Sequence, residues 1–237
     1  MNVCEPKYKR ILLKLSGEAL SGKDGILDFD FIASVAKVLK QCVDAGVQVG
    51  VIVGAGNIWR GRQGGDMDRV RADHMGMLAT TINSLALQDT FIQNGLDTVV
   101  MTAVEMKTFA EQYVTRDAIS ALESGKVVVF GGGLGSPFFS TDTAAALRAA
   151  EIKADAILMA KNIDGVYSAD PKTDPTAVRY DEITYQEVIA KELKALDMTA
   201  TAFCLENGIR AYAFGLKDPM NIYRVAMGEK IGTELHK

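Results

Sequence analysis

The chain has 237 residues, 48% of them hydrophobic, with a formal net charge of −4 and a pI of about 5.3. This composition supports one sizeable α/β core and excludes a general electrostatic attraction to nucleic acid. No stretch approaches the roughly 18 apolar residues of a membrane span, and the opening residues carry no apolar run with a small-residue cleavage site, so a cytoplasmic location is expected. Apolar runs recur along the chain, each followed by turn chemistry. Residues 10–15 (RILLKL) end in Ser16-Gly17, and residues 47–53 (VQVGVIV) end in Gly54-Ala55-Gly56-Asn57. Residues 98–102 read as a short strand, and 126–130 (KVVVF) run into a glycine-rich loop. Residues 156–160 (AILMA) end in Lys161-Asn162, and 209–214 end in Gly215. Helical patterns occupy 30–45, 67–93, 115–124 and 143–152, with several short helices expected after 155.

Strands alternating with helices predict an α/β fold, a largely parallel sheet covered by helices on both faces. Ligands bind such sheets beyond the carboxyl ends of the strands, which is where the polar and glycine-bearing loops fall. A soft boundary near Asp155 divides one domain into two lobes, about 1–154 and 155–237. Cys4, Cys42 and Cys204 are odd in number and far apart, so neither a disulfide framework nor a metal-ligand spacing is present. Two histidines are too few for a histidine metal site.

The loop at 131–142 (GGGLGSPFFSTD) carries the most chemistry. Its glycines permit positive φ and close backbone approach. Ser140, Thr141 and Asp142 are good N-cap residues for the helix that follows, and free N–H groups at a helix N-terminus suit a phosphate. Phe138 and Phe139 add an aromatic wall. Phosphate donors beside aromatics point to a nucleotide.

Two familiar motifs fail. Gly17 to Lys23 matches G-x-x-x-x-G-K, but Asp24 stands where a P-loop needs Ser or Thr. Gly54 and Gly56 begin a dinucleotide fingerprint, but Trp59 occupies the position of the third glycine. A phosphate-binding turn followed by Arg60 fits better. Lys14, near a strand end beside Ser16-Gly17, is placed to reach polyphosphate; an edge-strand charge is its plainer reading. Asp73, near the start of a long helix, is suited to accept hydrogen bonds from sugar hydroxyls. In residues 161–171, Tyr167 could pack on a base and Asp170 is held extended before Pro171; an ordinary surface loop is the alternative.

Together these segments resemble the bacterial uridylate (UMP) kinases of the amino-acid-kinase superfamily. The resemblance spans nearly the whole chain and includes residues 8–20, 54–61, 73–80, 136–142, 164–167 and 227–233. It implies a three-layer α/β/α sandwich, phosphoryl transfer from ATP to UMP with Mg²⁺, a homohexamer, feedback inhibition by UTP and activation by GTP. Carried over by motif, ATP would meet Lys14, Leu15, Ser16, Gly17, Gly56, Arg60, Asn162, Tyr167 and Asp170. UMP would meet Ala55, Asp73, Leu134, Gly135, Ser136, Pro137, Phe138, Phe139, Ser140 and Thr141. Ala55 replaces a glycine of the family pattern but still offers its N–H. Gly25-Ile26-Leu27 lacks the second glycine of the family's GTP segment, which argues against GTP activation here. The loop at 161–163 is a residue shorter than in many members.

The acceptor is a phosphate monoester, whose second pKa is about 6, so no strong general base is needed. Catalysis is expected from positioning and charge neutralisation. Lys14 and Arg60 would meet phosphates, and Asp142 or a nearby carboxylate would orient lysine or metal through water. Two rival readings are a superfamily kinase acting on a carboxylate or carbamate, and a non-catalytic nucleotide sensor.

Overall fold

The computed structural model describes residues 5–23, 25–60 and 64–237. Cys4 and Asp24, both named above, and residue 61, the end of the 54–61 segment, lie outside them. One nine-stranded sheet runs in the order β4-β3-β5-β2-β1-β6-β8-β9-β7. Its strands are β1 (Arg10–Leu15), β2 (Gln48–Val53), β3 (Thr98–Thr102), β4 (Glu111–Gln112), β5 (Val127–Gly131), β6 (Ala156–Lys161), β7 (Glu182–Thr184), β8 (Ala211–Gly215) and β9 (Thr233–His236). Every pairing is parallel except that of β8 with β9. β1 lies between β2 and β6, so strands built before residue 132 occupy one side and those after 155 the other.

Side-chain alternation sorts the core into two layers. Ile11, Leu13 and Leu15 of β1 face a cluster shared with α1 (Phe29–Asp44), the C-terminal part of α2 (Arg69–Gln93), and α7 (Met220–Ala226). Leu12 of β1, with Ile157 and Met159 of β6, faces α3 (Thr115–Glu123), α4 (Thr141–Glu151), α5 (Tyr185–Ala190) and α6 (Met198–Asn207). The result is the expected three-layer sandwich. Central β2 is buried at five successive residues, Val49 to Val53, as a parallel strand covered on both faces must be.

The helices begin where their capping chemistry says they should. Asp28 accepts from Phe31 N at 2.9 Å to start α1, whose inward stripe is Ile32, Val35, Ala36, Leu39 and Cys42. Asp68 caps α2 in the same way. Ser140 accepts from the amides of Asp142 and Thr143, so α4 starts at Thr141, two residues before the apolar pattern suggests. Residues 17–20 form a short 3-10 turn and α1 starts only at Phe29, so Gly22-Lys23 does not open a helix as a P-loop would.

Candidate active site

The C-terminal ends of β1, β2, β5 and β6 open on one edge of the sheet, because these strands are parallel neighbours. Lys14 is the only charge between the ends of β1, and it shares the face of Leu12, toward α4. There its Nζ meets Asp142 Oδ1 at 2.9 Å, both side chains being mostly shielded. Lys161 follows Ile157 and Met159 on the same face of β6. Its ammonium donates to the carbonyl of Ala195. Burial pushes the Lys161 pKa below the ordinary lysine value; Asp142 opposes the shift and Lys14 adds a smaller push in the same direction. Lys14, Lys161, Asp142 and the N-terminus of α4 therefore meet at the crevice floor, where the Lys14 ammonium and the helix amides offer donors suited to phosphates.

Beside this floor lies a cavity of about 250 Å³. Ala55, Gly56 and Trp59 line one side, Asp73 and Thr80 of α2 another, and Leu134, Ser136, Phe139, Ser140 and Thr141 the third. An adjoining space of about 490 Å³ is bordered by Arg60, Arg69, Phe138 and Asp197. Seven of the expected acceptor residues thus line one cavity. Gly135 and Pro137 shape its loop without lining either space, and Phe138 lines only the outer one.

One face of α2 holds the loops around that cavity. Asp73 Oδ2 accepts from the Phe138 amide at 2.8 Å and from Arg69 Nε at 2.8 Å. Thr80 Oγ1 accepts from the Gly132 amide at 3.0 Å. Asn83 Nδ2 donates to the Gly54 carbonyl at 2.8 Å. Positions 73, 80 and 83 share a helix face. Phe138 sits at φ 72, a left-handed conformation rare for a residue with a side chain, and the Arg69 guanidinium lies 5.5 Å from its ring centroid. The sequence reading expects Phe138 beside a flat ligand; its ring lies next to Arg69 and is 64% exposed. Among the described residues Asp73 Oδ1 has no donor.

The other expected nucleotide residues occupy neighbouring loops. Gly17 abuts the turn after β2 so closely that a Cβ there would stand 2.5 Å from Gly54 O and 2.6 Å from Gly56 N. Arg60 pairs with Glu18 and packs beside Gly56. Asn162 is exposed, directly after β6. The Tyr167 hydroxyl donates to Asp164 at 2.8 Å, and Asp170 Oδ1 accepts from Lys172 N at 3.0 Å. These three belong to the loop that leaves β6, the strand paired with β1.

A family model described as the amino acid kinase family matches residues 9–214. The chain belongs to the amino acid kinase family. Among solved structures, this amino acid kinase is similar to the UMP kinase of Bacillus anthracis, with 35% identity, a TM-score of 0.93, and coverage of 97% of this chain and 96% of that one. It is similar to the UMP kinase of Ureaplasma parvum at 38% identity and a TM-score of 0.91, covering 96% and 98%. The uridylate kinase of Archaeoglobus fulgidus stands at 28% identity and a TM-score of 0.72, covering 95% and 99%.

Two side chains of this amino acid kinase escaped the sequence reading. Lys161 looked like part of a polar turn, although its two-residue spacing from Met159 places it on the Lys14 face. Asp197 reads as no more than the N-cap of α6, accepting from Ala200 N at 2.9 Å. It also accepts from Ser140 Oγ and, at 3.1 Å, from Thr143 Oγ1. It thereby ties the loop before α4 to α6, a contact between residues 54 positions apart or more.

Proposed function

We propose that this chain is a nucleoside monophosphate kinase that transfers the γ-phosphoryl group of ATP to UMP, giving UDP and ADP for pyrimidine nucleotide synthesis. The observation that carries this reading is the Lys14–Asp142 pair at 2.9 Å beside the 250 Å³ cavity. Similarity over nearly the full chain to proteins named as UMP kinases selects the acceptor.

An oxygen of the UMP phosphate attacks the γ-phosphorus in line while the bond to the ADP oxygen breaks. The attacking phosphate is largely ionised near neutral pH, so no residue has to remove a proton. Lys14 neutralises charge on the transferred group, with Asp142 fixing the ammonium in place. The backbone of residues 54–56, the N-terminus of α4 and Arg60 supply further donors. Arg60 must exchange Glu18 for phosphate when ATP binds. Among the described residues Asp73 Oδ1 has no hydrogen-bond donor and would take a ribose hydroxyl, and Lys161 lies beneath on the Lys14 face.

Among the described residues no group of three or more His, Cys, Asp or Glu could cage a metal. That donor set fits Mg²⁺ carried mainly on the phosphates of ATP, with Asp142 as the carboxylate in reach. Held by Asp142 and the phosphates, such an ion would supply charge neutralisation.

In this reading the acceptor lobe is about residues 1–154 and the ATP lobe about 155–237, with Asn162, Tyr167 and Asp170 on the donor side. UTP, which shares the uridine of the acceptor, is the expected feedback inhibitor. Gly25-Ile26-Leu27 argues against GTP activation. Among the described residues no helix is long and apolar enough to cross a membrane, and the cytoplasm, where ATP and UMP meet, is the proposed place of action. A homohexamer accords with the apolar residues Met75, Leu78 and Ile82, which α2 leaves exposed on one face. Incubation with Mg·ATP and UMP should yield UDP and ADP in equal amounts; no UDP from correctly folded protein would overturn the reading.

A further inference from the structure

The side chain of Asn83 is fully buried on α2, and Asn57 lies in the turn after β2. Their carboxamides pair head to head: Asn57 Nδ2 donates to Asn83 Oδ1 at 2.9 Å, and Asn83 Nδ2 donates to Asn57 Oδ1 at 2.8 Å. The second hydrogen on each nitrogen is also used. Asn83 donates to Gly54 O at 2.8 Å and Asn57 donates to Ile26 O at 2.7 Å. Backbone carbonyls at both ends fix which atom of each amide is nitrogen. Four hydrogen bonds thus lock the ends of one turn, Gly54 and Asn57, and leave Ala55 and Gly56 between them facing the cavity. Gly17 closes the arrangement, since a Cβ there would stand 2.7 Å from Asn57 Oδ1.

We infer that Asn83 is a positioning residue for phosphoryl transfer. Its side chain is fully buried and offers no surface to a nucleotide. It holds the turn so that the amides of Ala55 and Gly56 stand where acceptor and donor phosphates meet. A buried amide network serves this better than apolar packing because it fixes direction as well as distance. A merely structural role would lower stability without altering the kinetics of the folded fraction.

The inference rests on the proposed UMP kinase reading, and its test separates the two. Asn83→Ala and the milder Asn57→Ala are compared with the wild type, well below each protein's melting temperature. Asn83→Ala should lower kcat or raise KM for UMP by about 10- to 100-fold, since misplacement by about 1 Å costs on that order. The double variant should be little worse than Asn83→Ala alone, because both changes break one unit. Hydrogen exchange of peptides covering residues 54–57 should quicken in both single variants, a readout that needs no activity. Wild-type kinetics with unchanged exchange in a folded Asn83→Ala, or in Asn57→Ala should Asn83→Ala fail to fold, overturns the positioning role. Quickened exchange in a protein whose wild type makes no UDP upholds the turn lock and rejects the UMP reading instead.

Discussion

Lys14 and Asp142 meet at 2.9 Å although they lie on different elements, the end of a central strand and the first turn of α4. The ammonium is held by a partner that cannot follow it out of the crevice, which is what preorganised charge requires. Removing one such donor typically costs about 3–4 kcal/mol of transition-state stabilisation. Lys14→Ala should therefore lower kcat by roughly two to three orders of magnitude. A loss of only threefold in folded protein would remove Lys14 from the chemistry.

Gly17→Ala tests the contact between the β1 end and the acceptor turn. The added methyl would meet backbone atoms of Gly54 and Gly56 at 2.5 and 2.6 Å, which no side-chain rotation relieves. The expected result is a destabilisation of about 1–3 kcal/mol with a raised KM for ATP, measured by urea unfolding and steady-state kinetics. An unchanged midpoint and KM would show that the turn tolerates displacement.

The loop between β5 and α4 was the most legible part of the fold, and the reason is local. Glycines, N-cap residues and a strand before them announce a strand–loop–helix turn without help from the rest of the chain. The main strands and the four long helices were legible for the same reason, since period and capping are local signals. Short β4, β7 and β9 were not, because a two- to four-residue strand carries too little pattern. Arg69 against Phe138 was invisible too, since residues about seventy positions apart are joined only by the packing of α2 on the loop. Lys161 was misread because a charged residue after an apolar run looks like a turn unless strand parity is followed one step further.

Burial pushes the thiol of Cys42 up to about 12 and that of Cys204 up to about 11. An unfolded thiol ionises near 8.5. Between about pH 8.5 and 11 the unfolded state loses protons that the folded state keeps, so these thiols make stability fall as pH rises. Replacing both by alanine should flatten the decline of the urea midpoint above pH 8.5. Peptide mapping after iodoacetamide at pH 8 should find neither cysteine labelled in native protein. Rapid labelling of Cys42 would contradict its burial.

The inner face of α2 anchors the acceptor loops through Asp73, Thr80 and Asn83, while Leu78 and Ile82 point the other way and stand 54% and 49% exposed. A second copy covering that stripe would account for both faces. Leu78→Glu/Ile82→Glu should dissociate the assembly, with light scattering moving from six times the 25.5 kDa chain mass to a smaller species. A wild-type monomer would contradict the hexamer, and an unchanged assembly in the variant would place the contact elsewhere.

The most direct test of function is product analysis with Mg·ATP and a series of acceptors: UMP, CMP, dUMP and acetylglutamate. UMP should be converted to UDP with one ADP formed per UDP, far faster than any other acceptor, and Lys14→Ala should suppress that conversion by at least a hundredfold, the lower end of the loss that removing a preorganised donor brings. Phosphorylation of acetylglutamate in preference to UMP, or tight nucleotide binding with no phosphoryl transfer at all, would contradict the assignment.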